Sequence, residues 1–409
     1  MKIKEVSAKA VLDSRQEETI EVTVNGHATS APAGKSKGKH EKPSYKKNLG
    51  ADIKFINSLK ASSFKGIEIN EFDDLEKIEG KLIKKVGANT LFAFEASVLK
   101  ASAREKLMPL WQFINPYAKV FPRILSNTIG GGAHSSVFKI KPDFQEFLVT
   151  NNKNPAIGNF LNKKSYGTAG KILSNLSMNS GKINDENAWQ TDLDNEKVLE
   201  VMKNVQENVF EESRMHIDIG LDVAASQFFK ARKYYYKDRI KTLSREQQIK
   251  YMVDLSRKFN LFYIEDPLDE EDFAGFASLV KNVNCLIVGD DLTVTNYERV
   301  ERAIRIGAIT GLIVKPNQTG SLIEVKRIIE LCNKNCIKTI MSHRSGETMD
   351  NTIADLAFAF QCDFIKTPVI GKEREAKVAR LMQIEGSSKK VTSEDEEFVR
   401  RRHKEVESE

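Results

Sequence analysis

The sequence predicts an α/β protein, with an N-terminal α+β capping domain over residues 1–118 and a (β/α)8 barrel over residues 119–385. Three observations carry this. Short apolar runs end in a charged or polar side chain: IDIGLD at Asp222, FYIE at Glu265, LIVGD at Asp290, LIVK at Lys315, TIMSH at His343 and DFIK at Lys366. The last five recur at intervals of 25, 25, 28 and 23 residues, the length of one strand, one helix and two loops. The runs LFYIED, CLIVGD and GLIVK are almost wholly apolar, as parallel strands covered on both faces must be. On a barrel the chemistry collects where the strands end, so these polar termini and the adjacent arginine point into one mouth.

Ahead of the repeat, residues 1–25 alternate polar and apolar side chains, the period of two strands joined by a turn. A loop rich in Gly and Lys spans residues 31–42, and residues 49–106 take up a helical period. Strands followed by helices, without regular alternation, indicate a small α+β unit. The repeat begins after Phe121. Its helices carry start and stop signals: Ser244-Arg-Glu-Gln247 fits a capping box, Thr295-Asn296 can cap YERVERAIRI, and Gly307 sits where that helix would stop. From about Glu385 the chain turns polar, and residues 386–409, with the single aromatic Phe398, are expected to form a charged, solvated tail.

A chain of 409 residues can hold two domains, and 40% hydrophobic with 29% charged residues is a globular composition. The net charge of +6 comes from interspersed Lys and Glu, without the basic block of a nucleic-acid footprint. No apolar run reaches membrane-spanning length, and MKIKEVSAK lacks a signal-peptide core. Four cysteines make no disulfide scaffold, so a cytoplasmic setting is expected. Cys332 and Cys336 stand four apart on a helix without a second ligand pair, which argues against a metal site there.

Asp222, Glu265 and Asp290 are hard oxygen donors from three successive barrel positions, a set that suits Mg²⁺. Zinc would call for His or Cys at these strand ends. Each acid can instead pair with a lysine across the barrel. Three in register, with Asp291 spare to pair a lysine, point to metal. Lys315, crowded by cations, can have a lowered pKa and act as a general base. Lys366 can supply that neighbouring charge or bind an anionic substrate. Ser342-His343-Arg344-Ser345-Gly346 combines a guanidinium, a hydroxyl and backbone donors, a grip for phosphate or carboxylate.

The segments IGLDVAAS, YIEDPLDEEDF, VGDDLTVTN, VKPNQTGS, MSHRSGET and IKT closely resemble, in order, those of the enolase family. GGGAHSS, DFQEF and Asp185-Glu186 resemble its remaining active-site segments. The resemblance implies an enolase-type barrel and removal of water from 2-phosphoglycerate to give phosphoenolpyruvate with two Mg²⁺. It implies Lys315 as the base at C2, and Glu186, aided by Glu146, as the acid for the departing 3-hydroxyl. Asp222, Glu265 and Asp290 would hold one Mg²⁺ and Ser36 the other. Arg344 and Ser345 would hold phosphate, Lys366 would lie at the carboxylate end, and His134, Gln145 and His343 would line the pocket. It further implies a homodimer.

Several positions depart from the family pattern. Asp-Ser-Arg-Gly-Asn-Pro-Thr appears as Asp13-Ser-Arg15-Gln-Glu-Glu-Thr19, which changes a turn near the subunit interface. The mobile loop reads Ala33-Gly-Lys-Ser-Lys-Gly38, with two added lysines expected to be solvated. Asp-Glu-Gly-Gly-Phe-Ala-Pro appears as Asp185-Glu186-Asn-Ala-Trp-Gln-Thr191, without two glycines that allow unusual dihedrals. Gly130 stands where the family has Asn, and Pro368 where it has Gly. These changes keep open two alternatives: a related lyase acting on another phosphorylated or acid substrate, and a catalytically weak scaffold protein.

Overall fold

The computed structural model describes residues 1–35, 38–134, 141–176, 181–237 and 241–388. The chain opens with an antiparallel sheet of β1 (Val6–Leu12), β2 (Glu18–Val24) and β3 (His27–Ser30), in the order β1-β2-β3. The sequence reading anticipated only the first two strands. The third follows Asn25-Gly26, whose φ angles of 48° and 81° make the primed turn that an Asn-Gly pair favours. Helix Ala88–Glu105 packs against β2 and β3, and its residues from Ala88 to Leu99 are all buried.

The barrel comprises β4 (Arg123–Gly130), β5 (Glu146–Thr150), β7 (Asp218–Asp222), β11 (Tyr263–Glu265), β12 (Leu286–Gly289), β13 (Gly311–Val314), β14 (Lys338–Ser342) and β15 (Phe364–Lys366), in that order around the ring. Pairing of β15 with β4 closes it. The short strand β6 (Trp189–Gln190) joins the open flank of β4 at Ile129 and Gly130. Strands β8 (Phe229–Lys230), β9 (Lys233–Tyr236) and β10 (Lys241–Leu243) form a separate antiparallel sheet. One feature departs from a uniform (β/α)8 repeat: β5 runs antiparallel to both neighbours. The beginning of β5, not its end, therefore lies at the mouth.

Inside the ring, Leu125, Leu148, Tyr263, Val288, Ile313, Ile340 and Phe364 form a packed plug. Side chains two positions on share the same face, so Glu265 rises above Tyr263 and Lys366 above Phe364. An apolar floor under a charged rim follows from this alternation. The expected helix signals hold. Ser244 and Gln247 cap helix Arg245–Lys258, and Asn296 caps helix Tyr297–Arg305. Gly307 follows that helix with φ 67°.

The last helix, Lys372–Ser388, runs three residues past the position where a tail was expected to begin. Glu385 is buried there and accepts the Ala156 amide (3.1 Å). Residues 389–409 lie outside the described residues. Among the described residues, no helix is long and apolar enough to cross a membrane.

Candidate active site

Strand register brings the rim together. Glu146 faces Asp222, Asp222 faces Glu265, and Ser342 faces Lys366 across adjacent strands. Gln145 and Glu146 reach the mouth only because β5 is reversed. One cleft is lined by Gln145, Glu146, Glu186, Asp222, Asp290, Lys315, His343, Arg344, Ser345 and Lys366. Glu265 lies beneath it, fully buried.

Lys366 sits among three carboxylates: its Nζ is 2.7 Å from Glu265 Oε2, 2.8 Å from Glu146 Oε2 and 3.0 Å from Asp222 Oδ2. Burial alone would lower its pKa, but Asp222, Glu146 and Glu265 together hold it well above the usual lysine value. Glu265 also accepts the Tyr263 hydroxyl at 2.6 Å. Lys315 pairs with Asp290, so it is Asp290 and not Asp291 that meets a lysine. Burial would lower Lys315, yet Asp290 prevails and raises it. The nearest neighbour of the ammonium is thus an acid, whereas the lowered pKa expected of Lys315 is that of a lysine near a metal.

Pairing of acids with lysines across the barrel thus occurs, but it leaves two oxygens over. Among the described residues, the buried Glu265 Oε1 and Asp290 Oδ1 have no hydrogen-bond partner. Against burial, Lys315 holds Asp290 below the usual carboxylate range, unlike its neighbours. Burial and the Asp222 charge push Glu265 well above the usual range, and burial opposed by Lys366 leaves Glu146 at about 8. Buried anionic oxygens that no donor satisfies are places where a cation is favoured. The described residues therefore include a carboxylate set able to bind metal.

Two tight groups of possible ligand atoms occur, each within 4.8 Å: Glu146, Glu186 and His343, and Asp266, Asp290 and Asp291. The expected trio Asp222, Glu265 and Asp290 does not form one such group among the described residues: Lys366 bridges Asp222 and Glu265, and Asp290 pairs with Lys315. Asp266 was not singled out from sequence. Its carboxylate accepts the amides of Asp290 (3.0 Å) and Asp291 (2.7 Å), which fixes the loop after β12. Burial holds the His343 imidazole well below its usual pKa, so it is neutral.

On the basic side, Arg344 is buried, pairs with Glu41 at 2.6 Å and reaches Asn317 Oδ1 at 3.4 Å. Ser345 Oγ accepts from the Lys35 amide (2.8 Å) and from Arg15 Nη1 (3.2 Å). Arg15 was read only as part of an interface motif, and nothing in its local sequence pointed to Ser345. Lys35 is not merely solvated, since its Nζ lies 3.1 Å from Asp185 Oδ2. Arg374, fully buried, donates from one Nη2 to the carbonyls of Ser345 (2.9 Å) and Asp185 (3.3 Å). Lys35 and Arg374 thereby both link the same two residues, Ser345 and Asp185.

The loop carrying Glu186 keeps its turn without the two glycines. Asn187 takes the left-handed conformation (φ 64°) that asparagine tolerates best among non-glycine residues. Asn184 Oδ1 accepts the amides of Glu186 (3.0 Å) and Ala188 (2.9 Å). Trp189 stacks on Tyr166 and donates to its carbonyl at 2.9 Å. Ser36 lies outside the described residues, and of His134 only the backbone, ending the turn Gly132–His134, is described.

The family model "Enolase, N-terminal domain" matches residues 3–114, and "Enolase, C-terminal TIM barrel domain" matches residues 118–399. Curated proteins named enolase are similar over nearly the whole chain. That of Picrophilus torridus is 35% identical over 397 residues, covering 94% of this chain and 98% of its own. That of Methanocorpusculum labreanum is 37% identical (94% and 98%), and that of Methanosphaera stadtmanae 38% identical (94% and 96%).

Proposed function

The chain belongs to the enolase family, and from that membership we infer its reaction: dehydration of 2-phosphoglycerate to phosphoenolpyruvate, a carbon–oxygen lyase step of glycolysis. We propose the roles of individual residues as follows. The observation that carries them is a pair of buried oxygens without a partner among the described residues, Asp290 Oδ1 in a cleft where carboxylates outnumber cations and Glu265 Oε1 beneath it.

Asp222, Glu265 and Asp290 would hold one Mg²⁺, and Ser36 would contribute to a second. Bound there, the metal supplies Lewis-acid stabilisation of the charge that collects on the substrate carboxylate. A lysine base beside divalent cations is the general pattern of this superfamily.

The remaining work falls to side chains of this chain. Lys315 Nζ takes the C2 proton. For that it must first be neutral, so its contact with Asp290 has to loosen. Glu186 gives a proton to the 3-hydroxyl as it leaves. Glu146, whose carboxyl lies within 4.8 Å of that of Glu186, supports it. Lys315 follows β13, while the Glu186 loop joins the barrel at β4, three strands round the ring, which separates base from acid. Arg344, buried beside Ser345, exchanges Glu41 for the substrate phosphate, one anion for another. Neutral His343 lines the same wall.

We place the division between capping domain and barrel near residue 118, and the protein in the cytoplasm as a homodimer. Sizing in solution checks the assembly. The reaction is tested by comparing 2-phosphoglycerate with other phosphorylated and unphosphorylated acids at saturating Mg²⁺. A clear preference for 2-phosphoglycerate supports the assignment. Equal rates would favour the related-lyase alternative raised by the altered Glu186 loop.

A further inference from the structure

The loop that presents Glu186 is held by an amide that stands in a space another residue leaves free. Asn184 Oδ1 receives two backbone amides, Glu186 and Ala188, and the Ala188 carbonyl receives the Asn184 amide at 2.9 Å. The turn from 184 to 188 is thus closed on both sides by one residue. Asn184 Nδ2 points the other way, is buried, and makes no hydrogen bond among the described residues. It lies against Gly130 at the end of β4. A Cβ at position 130 would sit 2.3 Å from Asn184 Nδ2, 3.3 Å from its Cγ and 3.4 Å from Ala188 Cβ. Any side chain there would drive the Asn184 amide out. The loop is secured in the same way at its other end. Asn187 Nδ2 lies 3.5 Å from the Ile370 carbonyl, and a Cβ at Gly371 would meet that nitrogen at 2.3 Å.

We propose that Asn184 is a positioning residue for the dehydration, setting the backbone that presents Glu186, and that position 130 is glycine in order to admit its amide. The inference rests on the reading of Glu186 as the acid. It also accounts for the glycine at position 130, where the family pattern has Asn: the space that a side chain would fill there is taken by the Asn184 amide from across the gap. A loop anchored this way has no need of the flexible backbone that glycines after the acid would provide.

The test uses the full-length protein with Mg²⁺ and reads two rates. One is kcat for phosphoenolpyruvate formation. The other is exchange of the C2 hydrogen of 2-phosphoglycerate with solvent deuterium, followed by NMR, which needs the base but not the acid. Asn184→Ala and Gly130→Ala are each expected to lower kcat by about 10- to 100-fold, the scale of a displacement near 1 Å, with KM little changed and exchange retained. The double variant Gly130→Asn/Asn184→Gly, which moves the amide across the gap, is expected to recover most of the lost kcat and to melt near the parent.

A wild-type kcat for Asn184→Ala overturns the proposal, as does an equal loss of turnover and exchange. Should Asn184→Ala fail to fold, the double variant decides: recovery supports the proposal, and a folded but unrecovered double variant overturns it. Glu186→Gln separates the two layers. If it turns over normally, the acid assignment itself fails. If it is inactive while Asn184→Ala is normal, only the positioning role fails.

Discussion

Lys366 Nζ lies 2.7 Å from Glu265 Oε2, so the most deeply buried of the three proposed metal ligands is already neutralised by a lysine. The same ammonium serves Glu146 and Asp222. Removing it would leave three carboxylates together in a low-dielectric site. Lys366→Met is expected to cost about 3–5 kcal/mol of stability in EDTA, the usual penalty for breaking a buried ion pair. Mg²⁺ should return part of that loss. Urea unfolding with and without Mg²⁺ measures both, and a stability equal to the parent in EDTA would refute this role.

Lys315→Ala removes the proposed base but leaves the oxygen ligands intact. Turnover should fall by about 10²–10⁴-fold or more, with C2 hydrogen exchange lost as well. Mg²⁺ affinity should hold or rise, because Asp290 loses its competing ammonium. Calorimetric titration together with the exchange rate checks this; retained exchange would mean that another group takes the proton.

Asp290→Ala should weaken Mg²⁺ binding and activity together, since the buried Oδ1 without a partner is lost. An unchanged Mg²⁺ dependence of the rate would exclude Asp290 as a ligand.

Two raised carboxyls give the pH dependence a sign. Burial and neighbouring acids hold Asp291 at about 7 and Glu146 at about 8, against ordinary values near 4 in the unfolded chain. Between these limits the folded protein carries more protons than the unfolded chain. These two groups therefore make stability in EDTA fall as pH rises from about 5 to about 8. Mg²⁺ binding should release protons in the same range, so the rise in Tm on adding Mg²⁺ should grow with pH. Melting curves at pH 6 and pH 8 decide the matter; a Mg²⁺-induced shift larger at pH 6 would contradict it.

The barrel was readable because its strands end in chemistry: Glu265, Asp290, Lys315, His343 and Lys366 stand at one period, and the structure gathers all of them at the mouth. Glu146 was reached through family resemblance alone. Periodicity could not place it, because β5 is reversed and its first residue, not its last, meets the site. The contacts of Arg15 and Glu41 with the Arg344–Ser345 segment escaped the sequence because they join residues 330 and 303 apart, and that of Arg374 because it is made to a backbone carbonyl from the last helix. Which acid Lys315 meets was not legible either, because its pairing with Asp290 joins the ends of two neighbouring strands. Asn184 carried no signal until the space beside Gly130 was seen, since a space filled from across a gap has no pattern within either position.

The most direct measurement is phosphoenolpyruvate formation from 2-phosphoglycerate, followed by ultraviolet absorbance with Mg²⁺ and then with EDTA. The account predicts a steady rate that EDTA abolishes and fresh Mg²⁺ restores. No rate in a folded, Mg²⁺-bound protein, or a rate indifferent to EDTA, would contradict it.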